Sequence, residues 1–352
     1  MRQQLHLIIY KAAEVANTLR LSKRKTTYER SLISACCFFS CLLLAFALTS
    51  CKGGKKEMET EKPTVSVTIE PYRYFVEQIA GDKVSVNVMV PAGSNPETYE
   101  PTPQQMVKLS NSAIYFKVGR IGFEETWMKK LTDNAPDMKV IDTSKGITPA
   151  KTAGGIIDPH TWMSCQSARI IADNICQALC EWMPKDSAYF AKRCLQFKGM
   201  VISKVEQEMT PYFRKAKEAR EQLLQESGIQ TTGLAGSNHK GNTRFPYVIY
   251  HPALTYFAKD HGFEQLPIEE EGREPSIAQL QALINRAKRD QIKTVFIQKE
   301  FANRNTQTFI DATGAHAIEI NPLAYDWATE MVSIAKKFAE SYGVEMKSFS
   351  KN

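Results

Sequence analysis

From Asp186 to Leu224 the chain carries a single glycine, Gly199, while Phe190, Leu195, Phe197, Val201, Val205, Met209 and Phe213 recur at helical spacing. Asp186 or Ser187 is placed to cap its start. At about 1.5 Å per residue such a helix spans roughly 50 Å or more. An element that long holds the segments on either side of it apart, so the chain is expected to fold as two bodies on a rigid connection.

Both flanking segments alternate strand and helix. Upstream, Thr64 to Ile69 alternates like a strand, Pro71 opens a helix, and Val84 to Val90 is a second strand. A short helix near Gln104 to Leu109, a strand at Ala113 to Lys117, a helix near Phe123 to Leu131 and a strand at Lys139 to Ile141 follow. Residues 143–157 form a loop, and a helix carrying Ile170, Ile171, Ile175, Ala178 and Leu179 begins near Gln166. Downstream, strands at Tyr247 to Tyr250, Gln265 to Ile268, Thr294 to Gln298 and His316 to Ile320 alternate with helices. Those helices cover Leu254 to His261, the stretch after Ser276, Thr306 to Thr313 and Asp326 to Tyr342. Alternation of this kind predicts an α/β fold: two pseudo-symmetric lobes, each a mainly parallel sheet flanked by helices, joined by one long rigid helix.

The N-terminus is of another kind. Residues 1–30 carry a net charge of +5, and residues 31–50 carry no charge and run through Leu42-Leu43-Leu44-Ala45-Phe46-Ala47. Basic then apolar describes a signal peptide or a membrane anchor. Leu48-Thr49-Ser50-Cys51 supplies the small residues before a cysteine that a bacterial lipoprotein signal requires. Cys51 is therefore expected to be the lipidated first residue of a mature extracytoplasmic protein. The resulting division is signal peptide 1–50, tether 51–63, N-terminal lobe 64–185, linking helix 186–226 and C-terminal lobe 227–352. Of the overall charge of +7, only about +2 remains beyond the leader, which excludes a nucleic-acid surface. Cys165, Cys176, Cys180 and Cys194 fall in helical sequence. Cys176 and Cys180 share a helix face; without further ligands nearby in sequence they are read as buried apolar thiols.

Chemistry concentrates at strand ends. Val90 to Pro103 is a Pro/Gly-stiffened loop carrying Glu97 and Glu100; His160 and His251 stand beside prolines in Asp158-Pro159-His160 and Tyr250-His251-Pro252; Asp326 follows the last strand. In open α/β sheets such ends face a common crevice. Glu97, His160, His251 and Asp326, two from each lobe, make a chelating set that suits zinc and would accept manganese or ferrous iron. Glu100 is a substitute for Glu97. His239, His261 and His316 lack the strand-end context and are read as structural. A zinc hydrolase with Glu97 as general base is the competing use of the same residues, but the helical H-E-x-x-H pair is absent.

Five segments in order, Pro96 to Pro103, Asp158 to Ser164, His251-Pro252-Ala253 with Tyr256-Phe257-Ala258, Glu269 to Ser276 and Asn321 to Trp327, resemble those of the zinc/manganese-binding solute receptors of ABC transporters. The resemblance runs from about Thr64 to the C-terminus. It implies a metal held between two lobes, a membrane permease as partner, anchoring through lipid, a monomeric state and no enzymatic activity. A surface adhesin that uses the same scaffold without metal delivery is a third reading. By position the resemblance makes His160, His251 and Asp326 ligands. Glu97 stands where the family usually has histidine, which hardens the site toward manganese or iron, whereas His251 stands where manganese-type members can have glutamate and points back to zinc. Transported Zn2+ is the expected cargo, with Mn2+ or Fe2+ as alternatives.

Overall fold

A computed structural model describes residues 62–152, 154–226, 245–269, 272–298, 300 and 304–344. The leader, Cys51 and His239 lie outside the described residues.

The N-terminal lobe is built on strands β1 (Thr64–Val67), β2 (Ser85–Val88), β3 (Ser112–Lys117) and β4 (Lys139–Asp142), ordered β2-β1-β3-β4 and all parallel. The C-terminal lobe repeats the plan with β5 (Pro246–Ile249), β6 (Glu264–Pro267), β7 (Thr294–Gln298) and β8 (His316–Ile320), ordered β6-β5-β7-β8 and again parallel. Parallel strands need crossovers and are covered on both faces, which is why β3, β5 and β7 read as mostly apolar runs, whereas β1 alternates Thr and Ser with Val yet is buried from Val65 to Val67.

The crossovers are helices whose starts are written in the sequence. Pro71 lies in the first turn of α1 (Glu70–Ala80). Thr102 with Gln105 forms a capping box at α2 (Pro103–Ser110), and α3 (Gly122–Asn134) follows β3. In the second lobe α7 (Thr255–His261) follows β5, and Ser276 with Gln279 repeats the capping box at α8 (Ile277–Arg289). The series ends with α9 (Arg304–Thr313) and α10 (Trp327–Ser341). Each box satisfies two N-terminal amides that would otherwise lack partners.

In chain order, between β4 and β5, come α4 (Cys165–Trp182), α5 (Ser187–Gln196) and α6 (Ser203–Glu226). The expected straight connection is helical from Ser187 to Glu226 but passes through a π-helical segment at Phe197–Ile202. A π turn takes one extra residue, and here it leaves Phe197 and Ile202 both buried at either end of the segment while Gly199 and Met200 face solvent. Pro211 is accommodated inside α6.

Two indoles cross-brace the lobes. Trp162, in the 3-10 turn Thr161–Met163, donates from Nε1 to the carbonyl of Pro322 at 2.8 Å, and Trp327 donates from Nε1 to the carbonyl of Trp162 at 2.7 Å. Both are fully buried, and Trp327 packs edge-on against Phe75 of α1 with centroids 5.2 Å apart. Nearby, the Tyr325 hydroxyl donates to Glu77 at 2.5 Å.

Candidate metal centre

The cleft is built mainly from residues that leave the carboxyl ends of strands or the loops that follow them, which is where a parallel sheet presents its loops to a ligand. Glu97 follows β2, Gly122 follows β3, His160 ends the loop after β4, His251 follows β5 and Glu269 follows β6. Together with Arg120, Glu125 and Thr152, residues Glu97, Gly122, Asp158, His160, His251 and Gly272 line one cleft of about 460 Å³.

The two histidines meet there. The Nε2 atoms of His160 and His251 lie 3.3 Å apart, with ring planes at 72°. Their other nitrogens are engaged by carboxylates: His160 Nδ1 with Asp158 at 2.8 Å, and His251 Nδ1 with Glu269 at 3.0 Å. Asp158 also accepts the His160 backbone amide at 2.6 Å, and Glu269 accepts the amide of Gly272 at 2.9 Å. Gln298, at the end of β7, holds the His251 backbone by donating to its carbonyl at 2.8 Å. All four side chains are buried, His160 being 6% and His251 5% exposed. A carboxylate on Nδ1 draws the proton to that nitrogen, which leaves a lone pair on each Nε2. Two lone pairs aimed at each other need a cation between them, either a proton or a metal ion.

Electrostatics agree. Burial opposes protonation of His160, but the charge and hydrogen bond of Asp158, assisted by Glu97 and Glu269, outweigh it, and the pKa is raised above the ordinary value.

Glu97 is half-buried on the same cleft, with its carboxylate accepting the Gly122 amide at 3.0 Å and its own amide donating to Asn95 at 2.8 Å. A Cβ on Gly122 would overlap Glu97 side chain and crowd its backbone, so glycine is what allows this approach. Glu124 fixes the turn leading to Gly122: buried at 3% exposure, it accepts the amides of Val118 at 2.7 Å and Gly119 at 2.8 Å, and the Thr68 hydroxyl. Burial pushes its pKa up to about 7 against the lowering effect of those bonds.

Asp326 is not brought to this cleft. It is exposed, and its carboxylate accepts the Thr329 amide at 3.1 Å and the Thr329 hydroxyl at 2.6 Å, capping α10. A carboxylate at a helix start is held by amides without other partners and by the positive end of the helix dipole. Glu100 is also exposed and outside the cleft lining. Among the described residues no group of three or more His, Cys, Asp or Glu side chains is already arranged to hold a metal ion. What stands assembled is the histidine pair, while Glu97 lines the same cleft with its carboxylate held by the Gly122 amide. Sequence reasoning missed Asp158 and Glu269 as partners of the imidazoles. For Asp158 the signal was an acid two residues before a proline-flanked histidine; for Glu269 it was the family-like segment Glu269 to Ser276, which could not name His251 as its partner until β6 was aligned beside β5. His261, read as structural, is stacked on Phe213 at 4.0 Å, and burial pushes its pKa down to about 4.

A family model described as ZnuA, zinc-uptake complex component A, periplasmic, matches residues 65–230 and 235–341. The chain belongs to the ZnuA family. The high-affinity zinc uptake system protein ZnuA of Bacillus subtilis is 23% identical over 309 residues, covering 83% of this chain and 87% of that protein. The manganese ABC transporter substrate-binding lipoprotein PsaA of Streptococcus mitis is 23% identical over 325 residues, covering 88% and 94%. Among solved structures, a crystal structure of ZnuA aligns with a TM-score of 0.68 at 31% identity, covering 80% of this chain and 99% of that one. The two-lobe α/β fold expected from the sequence is thus the fold of ZnuA proteins, and the family consists of substrate-binding components of transporters rather than enzymes.

Proposed function

We propose that the chain is an extracytoplasmic receptor, anchored through lipid on Cys51, that captures a divalent metal ion between its lobes as a monomer and passes it to the permease of an ABC transporter. The observation that carries the reading is the histidine pair, with Nε2 atoms 3.3 Å apart and each Nδ1 tied to a buried carboxylate. Ligating histidines typically have this outer partner. Two nitrogens bound at 2.0–2.1 Å in a tetrahedral site stand about 3.4 Å apart, so the pair is spaced for zinc with little rearrangement. Glu97 is the third ligand, swung from Gly122. Asp326 joins them only if it releases the start of α10.

The family's relatives named for zinc and for manganese leave the cargo open between those two ions, and the donor set favours zinc. Two imidazoles and one carboxylate form a borderline set, whereas manganese prefers more oxygen donors. No helix among the described residues is long and apolar enough to cross a membrane, so anchoring is assigned to the leader and its cysteine.

The test is metal analysis and competitive titration of a soluble form starting at Lys62, the first residue of the compact unit Lys62–Asn352. One bound zinc per chain, lost in His160→Ala and His251→Ala and weakened in Glu97→Ala, is the expected result. A chain that binds neither zinc nor manganese when both are supplied sinks the proposal. Preference for manganese over zinc moves the cargo assignment and leaves the receptor assignment standing.

A further inference from the structure

A second cluster of reactive side chains lies between α4 and α5, outside the metal cleft. Cys176 and Cys180 stand one turn apart on α4 with sulfurs 4.0 Å apart. Cys194 on α5 brings its sulfur to 3.6 Å from the Ala172 carbonyl and 3.8 Å from Asp173 Oδ1. Helical side chains lean toward the N-terminus of their own helix. The Cys176 side chain therefore leans toward the turn of Ala172 and Asp173, the turn against which the Cys194 sulfur packs. Lys198 bonds Asp173 at 2.5 Å and holds a positive charge beside the pair. Cys194 is buried, while Cys176 and Cys180 are partly exposed. The fourth described cysteine, Cys165, is buried near Glu206, Arg169 and Asp260, apart from this group.

We propose that Cys176 and Cys194 form a disulfide in the exported protein, tying α4 to α5 and leaving Cys180 as a free thiol. The inference rests on the extracytoplasmic location proposed above, because disulfides persist in oxidising compartments. The partner is selected by geometry. Residues four apart on a helix keep their Cβ atoms about 5–6 Å apart, whereas a disulfide needs about 3.5–4.5 Å, so Cys176 cannot close on Cys180 without unwinding α4. Cys194 arrives from another helix and has no such constraint.

The oxidant is a disulfide of the exporting compartment, on a thiol oxidoreductase or a small dithiol. The Cys176 thiolate attacks one of its sulfurs, breaking that S–S bond, forming a mixed disulfide and expelling one thiolate. Cys194 then attacks the Cys176 sulfur and expels the second. Two protein thiols thereby lose two protons and two electrons, and the incoming disulfide is reduced to two thiols. The Cys176 hydrogen bond and Lys198 bias Cys194 toward thiolate against the effect of burial, which suits the resolving step. Cys176 is the thiol an incoming partner can reach, and its own pKa is raised by donating to Cys194, so the first exchange is the slow one.

The test uses the full chain exported with its own leader, purified without reductant, denatured and alkylated before and after reduction. Peptide mapping is expected to find a Cys176–Cys194 cross-linked peptide, with Cys165 and Cys180 alkylated. Reduction is expected to lower the thermal midpoint by about 6 °C, the size expected for closing a loop of this length in a chain of this size. Cys176→Ser and Cys194→Ser each abolish both effects, and Cys180→Ser preserves both. Four alkylatable thiols in the exported chain, or a Cys176–Cys180 bond, overturn the proposal. The purified reduced chain is also treated with oxidised glutathione. Failure of the Cys176–Cys194 bond to form there overturns the inference on geometric grounds whatever the location, and zinc titration of the same sample reports separately on the receptor reading.

Discussion

The Nε2 atom of His160 lies 3.3 Å from the Nε2 atom of His251, although one ring comes from the loop after β4 and the other from the loop after β5. Each is presented by the same device, a buried carboxylate on Nδ1, so the two lobes contribute equal halves of one nitrogen pair.

Removing either carboxylate's charge should loosen the pair without destroying the fold. Asp158→Asn and Glu269→Gln are expected to weaken zinc binding by about 10–100-fold each. Competitive titration against a chelator checks this, with circular dichroism as the control for folding. An unchanged affinity in both would mean that the carboxylates serve packing alone.

Acid should compete with the metal. The His160 pKa is raised in the metal-free fold, so its imidazolium stabilises that fold fully below the ordinary value of about 6.5. The contribution is lost as pH rises through the higher folded value. Metal binding has the opposite sign, since the proton between the rings must leave. Affinity is expected to fall by up to about tenfold per pH unit once His160 is protonated, measured by titration between about pH 5.5 and pH 8. A flat profile contradicts a proton shared by the pair.

Gly122→Ala should act on Glu97 from a distance in sequence. The added Cβ overlaps the carboxylate and crowds the Glu97 backbone, so the loop must shift. Zinc affinity is expected to drop by about tenfold, in line with disturbed ligand support, with a smaller change in stability. If Glu97→Ala is already neutral for metal, Gly122→Ala should be neutral too, and the pair of variants separates these cases.

Glu124→Gln places an amide donor against one of the Val118 and Gly119 amides. Leaving a buried donor without an acceptor costs about 1–3 kcal/mol. Raised to about 7, the native carboxyl favours folding most below the ordinary glutamate pKa of about 4.3, and that advantage is lost as pH rises through about 7. Urea denaturation at pH values on both sides of that window is expected to show a steeper loss for the native chain than for the variant.

Asp326→Ala tests the capping role directly. Loss of the cap is expected to lower stability by about 1 kcal/mol while zinc stoichiometry and affinity stay unchanged. Loss of bound metal in this variant would place Asp326 among the ligands.

The periodicities that predicted the fold belong to buried strands such as β1 and β5 and to helices such as α4 that bury one face, where burial dictates residue type. The same logic reached His160 and His251, because prolines and strand ends mark loops that turn toward a crevice. For Asp326 it leaves two uses open, since an acid after a strand is equally the residue that caps the next helix, which is how its carboxylate is engaged in this structure. It failed for Glu269 and Cys194 because their significance lies in neighbours about 20 residues away, brought close by sheet order and helix packing. The π turn at Phe197–Ile202 was also illegible, as it leaves the apolar spacing nearly helical.

The crossed indoles of Trp162 and Trp327 have an energetic meaning. Trp162 is two residues from His160, and its carbonyl and its ring nitrogen are both bonded to the opposite lobe. Wide opening of the cleft would break both bonds and expose two large buried side chains, so the indoles set a free-energy cost on parting the lobes at this point.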